Sequence, residues 1–141
     1  PAYKNLDIST DRIAAKGPLI LLVDDNEINL STVGDYLRAQ DFCVILARNG
    51  LEAIQVVRER KPQLVLMDIQ LPVMDGIDAI SILRADPTFA SLPILALTSR
   101  AMVGDRERCI EAGANDYLTK PVQLKQLTHV ILSHLNLLKI K

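Results

Sequence analysis

The chain has 141 residues, of which 49% are hydrophobic and 23% are charged, and its formal net charge is −1. This balance is typical of one globular domain with a buried core, and it gives no sign of a nucleic-acid-binding or membrane-binding surface. No apolar run approaches the length of a membrane span, and no signal peptide is recognisable. The two cysteines have neither metal-ligand nor disulfide spacing, so we expect reduced thiols and a cytoplasmic location.

The elements predicted along the chain alternate between short apolar strands and amphipathic helices. Residues 1–17 lack sustained periodicity and are predicted to be an N-terminal tail or linker, with 18–138 as the folded domain and 139–141 as a C-terminal tail. Apolar runs predict strands at 19–23, 42–47, 64–67, 94–97 and 116–118. Apolar stripes predict helices around 28–37, 49–61, 75–84, 105–112 and 122–138, with a loop at 86–93. This alternation predicts an α/β fold with a doubly wound parallel sheet.

The stretch from Leu64 to Gly76 reads LVLMDIQLPVMDG and organises the rest of the chain. Its first four residues are apolar without polar alternation, which suits a strand that is covered on both faces. Pro72 and Gly76 end this strand and make the turn beyond it. Asp68 is therefore expected at the carboxyl end of a central strand, which is where open α/β sheets bind ligands. An isolated aspartate at such a position more often only caps a turn.

Other polar side chains follow the neighbouring predicted strands. Asp24 and Asp25 follow the first strand, Thr98 ends the fourth and Lys120 follows the fifth. Because parallel strands end at one edge, these residues should meet near Asp68. Crowded carboxylates repel one another, by about 4 kcal/mol for a pair about 4 Å apart at an effective dielectric of about 20, so the cluster favours a bound cation. Oxygen ligands without His or Cys favour Mg²⁺ over zinc.

The same residues fit phosphoryl transfer. Mg²⁺ typically takes one or two carboxylates, which leaves Asp68 as a nucleophile. Lys120 can pair with Asp68 or with a phosphoryl oxygen, and Thr98 can donate a hydrogen bond to the same group. Positioning and charge neutralisation of this kind are what phosphoryl transfer requires. Taken singly, Thr98 is more often a hydroxyl bonded to backbone, and Lys120 a solvated surface lysine.

Four segments together carry a family resemblance. They are the pair Asp24-Asp25, the segment from Met67-Asp68 to Met74-Asp75-Gly76, Ala96-Leu97-Thr98, and Tyr117-Leu118-Thr119-Lys120-Pro121. In this order and spacing, over residues 19–135, the sequence resembles the receiver domain of two-component response regulators. The run Asp25-Asn26-Glu27-Ile28-Asn29 is most similar to receivers attached to hybrid sensor histidine kinases. The resemblance implies a flavodoxin-like fold with five helices and the strand order 2-1-3-4-5.

The resemblance also implies a phosphoacceptor and a metal site. Asp68 would accept a phosphoryl group from the phosphohistidine of a histidine kinase or a histidine phosphotransfer domain. Mg²⁺ would be held by Asp25, Asp68 and the backbone carbonyl of Gln70, while Asp24 would act through water.

A switch is implied as well. Thr98 and Lys120 would hold the phosphoryl oxygens, and Tyr117 would turn inward when Thr98 moves, although a half-buried strand aromatic is the simpler interpretation of Tyr117. The altered surface would comprise the fourth helix, the fifth strand and the fifth helix. The downstream partner that meets this surface is not readable from the sequence.

Some positions depart from the commonest family pattern or need a special backbone. Asp41 stands where many relatives have Gly, and we expect a left-handed backbone there. Gln70 and Arg100 lie where this family tunes the lifetime of the phosphoryl group. The Lys120-Pro121 peptide bond is expected to be cis, largely on the resemblance.

Other functions fit the sequence less well than a signalling switch does. A binding module that had lost phosphorylation should lack Asp68, Lys120 or the acidic pair, and all are present. An aspartyl-phosphate hydrolase places its nucleophile on the first strand rather than the third, so we expect no enzyme acting on external substrates. His129 and His134 are predicted to be exposed helical residues, and the charges from Asp105 to Glu111 a solvated helix face.

Overall fold

Five parallel strands form one sheet in the order β2-β1-β3-β4-β5. The computed structural model describes residues 17–99 and 102–136. The strands are β1 (Leu19–Val23), β2 (Cys43–Ala47), β3 (Leu64–Asp68), β4 (Ile94–Thr98) and β5 (Asp116–Thr119). The helices are α1 (Glu27–Ala39), α2 (Gly50–Arg60), α3 (Gly76–Ala85), α4 (Asp105–Ala112) and α5 (Leu124–His134). The predicted fold class and strand order are confirmed, with each predicted strand within one residue of its observed bounds.

Helices cover both faces of the sheet, as expected for central strands that lack polar alternation. All five residues of both β3 and β4 are buried. On one face the strands pack against Ile54 and Val57 of α2 and Ile80 and Leu83 of α3. On the other face they pack against α1 and α5, which contribute Leu30, Leu37, Leu127 and Ile131. Burial on both faces explains why these strands read as continuous apolar runs.

The strand register aligns the carboxyl ends of the sheet. Val23 pairs with both Ala47 and Met67, so β1 ends beside β2 and β3. Asp68 pairs with Leu97 of β4, and Thr98 pairs with Thr119 of β5. Polar residues at or just after these ends therefore share one edge of the sheet.

Side-chain caps and left-handed residues set several helix ends. The side chain of Asn49 accepts a hydrogen bond from the backbone N–H of Glu52, so the predicted cap of α2 is confirmed. Asp41 has φ = 72°, which confirms the expected left-handed backbone after α1. Gly113, with φ = 123°, ends α4. The Lys120-Pro121 bond is cis, as expected.

Two predictions about local structure are wrong. The last helix begins at Leu124 and ends at His134 instead of spanning 122–138, and Asn136 just beyond it has φ = 61°, a left-handed backbone that does not continue a helix. The loop at 86–93 contains a 3₁₀ turn at Pro87–Phe89, because Asp86 caps it and Phe89 is buried.

Apart from Gly17, the predicted tails lie outside the described residues. Arg100 and the last two residues of the predicted domain, 137 and 138, also lie outside them. Within the described parts of the chain, no helix combines the length and apolar character that a membrane span needs.

Candidate functional site

Lys120 brings together two carboxylates that are far apart in sequence. Its Nζ donates a hydrogen bond to Oδ2 of Asp24 at 2.7 Å and another to Oδ2 of Asp68 at 2.8 Å. Asp24 follows β1 directly, Asp68 is the last residue of β3, and Lys120 follows β5. The predicted pairing of Lys120 with Asp68 is thus found, and the second bond to Asp24 is an addition that sequence reasoning missed.

Burial makes this cluster electrostatically unusual. Asp24 and Asp68 are 3% and 4% exposed, whereas Asp25 is exposed. Burial raises the pKa of the Asp68 carboxyl from its ordinary value, although the hydrogen bond from Lys120 opposes that change. Burial would lower the pKa of Lys120, but its bonds to Asp24 and Asp68 outweigh this and raise it. Both pKa shifts mean that the site, without a bound metal ion, favours holding protons, since burial disfavours the ionised Asp68 carboxyl and the two carboxylates favour the charged ammonium of Lys120.

The three carboxylates fit a divalent cation. One oxygen each from Asp24, Asp25 and Asp68 can be chosen such that all three lie within 4.8 Å of one another. All the donor atoms are oxygens, which suits Mg²⁺. The backbone N–H of Gln70 donates to Oδ1 of Asp68 at 2.9 Å, so the turn that carries the Gln70 carbonyl is tied to this carboxylate. The individual ligand assignments remain predictions.

The loop after β3 is held close to the site by glycine. A Cβ on Gly76 would lie 2.3 Å from the carbonyl oxygen of Asp68, so no larger residue fits without a backbone shift. The N–H of Gly76 donates to the carbonyl of Ile69 at 3.1 Å, and the side chain of Asp75 caps α3 through the N–H of Asp78. Pro72 and Gly76 were predicted to make the turn beyond β3, and the structure adds that Gly76 packs directly on the backbone of Asp68.

Thr98 and Tyr117 lie on neighbouring strands beyond the carboxylates. Thr98 is fully buried at the end of β4. Tyr117 is half-buried in β5, opposite Ala96, and packs against the cluster that α3 and α4 help to form. Its hydroxyl is buried, and no group in residues 17–99 or 102–136 accepts or donates a hydrogen bond to it. Burial raises the pKa of this phenol. The switch role of the pair remains a prediction.

Two predictions for charged residues outside the cluster need correction. Asp105, expected on a solvated face, is only 3% exposed because it accepts a hydrogen bond from the backbone N–H of Met102 at 3.0 Å and pairs with Arg108. His129 is exposed, as predicted, but His134 is half-buried, with its Nε2 3.1 Å from Oδ2 of Asp116.

Sequence reasoning also missed Asn29, in the first turn of α1. Its side-chain Nδ2 donates to Oδ2 of Asp24 at 3.3 Å. The only signal in the sequence was the position of Asn29 within the run that resembles hybrid-kinase receivers, and that run did not indicate a contact with Asp24.

A doubly wound parallel sheet with this carboxylate and lysine cluster at its carboxyl edge defines the receiver class of signalling proteins. Residues 20–132 match the family model of the response regulator receiver domain. The chain therefore belongs to this family.

Relatives support the same assignment. The chain is 38% identical over 116 residues to the polar-differentiation response regulator DivK of Brucella anthropi, covering 82% of this chain and 94% of DivK. Among solved structures, the receiver domain of sensor histidine kinase PA1611 from Pseudomonas aeruginosa has a TM-score of 0.80 and 38% identity over 85% of this chain and 98% of that one. That structure has a magnesium ion coordinated in its active-site cleft. The BeF3-activated receiver domain of Klebsiella pneumoniae RstA has a TM-score of 0.77 and 32% identity, covering 83% and 97% of the two chains.

Proposed function

We propose that this chain is a phosphorylation-dependent switch of a two-component phosphorelay, in which Asp68 accepts a phosphoryl group. The observation that carries the proposal is the pair of bonds from Lys120 to Asp24 and Asp68, which places one ammonium group between two buried carboxylates at the carboxyl ends of β1 and β3. The donor is a phosphohistidine on a histidine kinase or on a histidine phosphotransfer domain.

The transfer requires a carboxylate that is fixed and near a positive charge. An oxygen of Asp68 attacks the phosphorus atom of the phosphohistidine and forms a P–O bond while the P–N bond breaks. The imidazole nitrogen keeps the electron pair of the broken bond and takes up a proton. Lys120 can donate a hydrogen bond to one of the new phosphoryl oxygens because its Nζ already lies 2.8 Å from Oδ2 of Asp68. The buried hydroxyl of Thr98 is proposed to donate to another.

Mg²⁺ completes the proposed site. We assign it to Asp25, Asp68 and the backbone carbonyl of Gln70, with Asp24 acting through water. The contrast between the two neighbouring aspartates supports this division, since Asp24 is buried and hydrogen-bonded while Asp25 is exposed. When bound, the ion neutralises negative charge on the phosphoryl oxygens.

We propose that the signal leaves through Thr98 and Tyr117. A phosphoryl group adds about −1.5 to −2 charges and three acceptor oxygens to Asp68, which would draw the hydroxyl of Thr98 inward. Tyr117 would then move toward the vacated space, at little cost in lost hydrogen bonds because its hydroxyl has no partner in the described residues. The surface of α4, β5 and α5 would change, and a partner that prefers the changed surface would stabilise it.

An enzyme acting on external substrates is the less favoured alternative. The proposed nucleophile, Asp68, ends the third strand and is hydrogen-bonded to Lys120. We assign it only the gain and the loss of a phosphoryl group on this chain itself. The two cysteines, which have no disulfide spacing, support the cytoplasmic location that we propose.

Phosphorylation with a small donor tests the proposal. With Mg²⁺ and acetyl phosphate, intact-mass measurement should detect the gain of one phosphoryl group, stable in acid and labile in base. Asp68→Asn should abolish this gain, and Asp78→Asn, an exposed aspartate on α3, should leave it unchanged. Undiminished labelling of Asp68→Asn would refute the assignment.

A further inference from the structure

Both carboxylate oxygens of Asp24 are held by hydrogen bonds. Oδ1 accepts from the backbone N–H of Asn26 at 2.9 Å. Oδ2 accepts from Nζ of Lys120 at 2.7 Å and from Nδ2 of Asn29 at 3.3 Å. Since the side chain is almost fully buried, these donors, and not solvent, set its orientation.

The first turn of α1 fixes the position of Asn29. The side chain of Asn26 caps this helix and accepts hydrogen bonds from the N–H groups of Ile28 at 2.8 Å and Asn29 at 3.1 Å. The same Asn26 also contributes its own N–H to Asp24. Asn26 therefore links the first turn of α1 to Asp24. The half-buried side chain of Asn29, in the same turn, contacts the same carboxylate five residues earlier in the chain.

The chemistry of the two side-chain donors on Oδ2 differs. Lys120 is shared between Asp24 and Asp68, and in the proposed function it binds a phosphoryl oxygen once Asp68 is phosphorylated. Asn29 is a neutral amide that donates to a carboxylate without adding a positive charge. It can therefore restrain Asp24 next to a bound cation without repelling that cation, and it can continue to do so when Lys120 turns away.

We propose that Asn29 is a positioning residue that holds Asp24 in the orientation which the Mg²⁺ site requires. This inference rests on the metal site of the proposed function. Loss of a partner that orients a metal-site side chain typically weakens metal binding by about 10–100-fold. Because Asp24 acts on the ion through water and keeps two other donors, we expect an effect of about tenfold, at the lower end of that range.

Titration with MgCl₂ alone, followed through the amide signals of Asp25 and Gln70, tests the inference. Asn29→Ala removes the donor and replaces Asn with a better helix former, so the helix should persist. Asn29→Leu keeps a similar size without the donor. Both variants should bind Mg²⁺ about tenfold more weakly, while the matched control Ser31→Ala, exposed on the same helix, should be unchanged. A dissociation constant within about twofold of the unaltered protein in either Asn29 variant would overturn the inference.

Phosphorylation kinetics separate positioning from general damage. At saturating Mg²⁺ the rate of Asp68 phosphorylation in Asn29→Ala should return close to that of the unaltered protein, because Asn29 donates to Asp24 and not to Asp68. A rate that stays low at every Mg²⁺ concentration would contradict a role in the metal site. If the unaltered protein bound no Mg²⁺, the metal part of the proposed function would fail together with this inference. If the unaltered protein bound Mg²⁺ and either Asn29 variant bound it equally well, only this inference would be refuted.

Discussion

Arg84, the next-to-last residue of α3, ties this helix to the 3₁₀ turn that follows it and to the distant loop between α4 and β5. Its guanidinium donates to the carbonyl of Gly113 at 2.8 Å, to the carbonyl of Phe89 at 2.7 Å and to Oδ1 of Asn115 at 2.6 Å. Asn115 in turn accepts from the backbone N–H of Ile94, at the start of β4. Burial lowers the pKa of Arg84, but an arginine remains charged at neutral pH.

Replacing Arg84 with Met isolates the contribution of these bonds. The stem of Arg84 packs so closely on Gly113 that a Cβ there would lie 2.3 Å from its Cγ, and Met retains a stem of similar shape and helix propensity. At about 1 kcal/mol for each of the three bonds, Arg84→Met should lower the free energy of unfolding by about 3 kcal/mol. Arg84→Lys keeps the charge but not the planar guanidinium, so its free energy of unfolding should lie between those of the unaltered protein and Arg84→Met.

Urea unfolding followed by far-ultraviolet circular dichroism measures this difference. The midpoint should fall while the slope stays constant, since the surface exposed on unfolding is unchanged. Arg58→Met on α2 is the matched control, an exposed arginine whose loss should change stability by less than about 0.5 kcal/mol. If Arg84→Met behaved like this control, the three hydrogen bonds would not stabilise the fold and the reasoning would be wrong.

Two further predictions concern the site. In the metal-free protein the folded state holds the proton of Asp68 to higher pH than the unfolded chain does, because burial raises its pKa. The contribution of Asp68 to stability should therefore fall as pH rises from about 4, the ordinary carboxyl pKa, and Asp68→Asn should gain stability relative to the unaltered protein over that range in urea melts at several pH values. A relative stability that does not change with pH would contradict this. Beryllofluoride with Mg²⁺ should shift the amide signals of residues 98–125 more than those of residues 51–59. In Thr98→Ala it should still bind at Asp68, but with a weaker distant response, and a full distant response would show that the coupling does not run through Thr98.

Local sequence patterns determined the strands and helices, and with them the carboxyl edge of the sheet at which the candidate site lies. The apolar run before Asp68 predicts a buried strand because a strand covered on both faces has no position for a polar side chain. Asn49 and Asp41 predict a cap and a left-handed backbone for reasons that lie within a few residues of each. The alternation of strands and helices then predicts a parallel sheet, and a parallel sheet brings Asp24, Asp68 and Lys120 to one edge.

Only the tertiary structure decided which side chains meet. Lys120 and Asp24 are separated by 96 residues, and their bond depends on β1 and β5 both ending at the edge where β3 ends. Arg84 and Asn115 are 31 residues apart. Asp105 is buried and accepts a hydrogen bond from the backbone of the loop before it, although most residues of its helix are charged. Sequence periodicity reports which face of an element is apolar, but the partner of a polar side chain depends on the packing of elements distant in the chain. For this reason the pairing of Asn29 with Asp24 became apparent only from the folded arrangement.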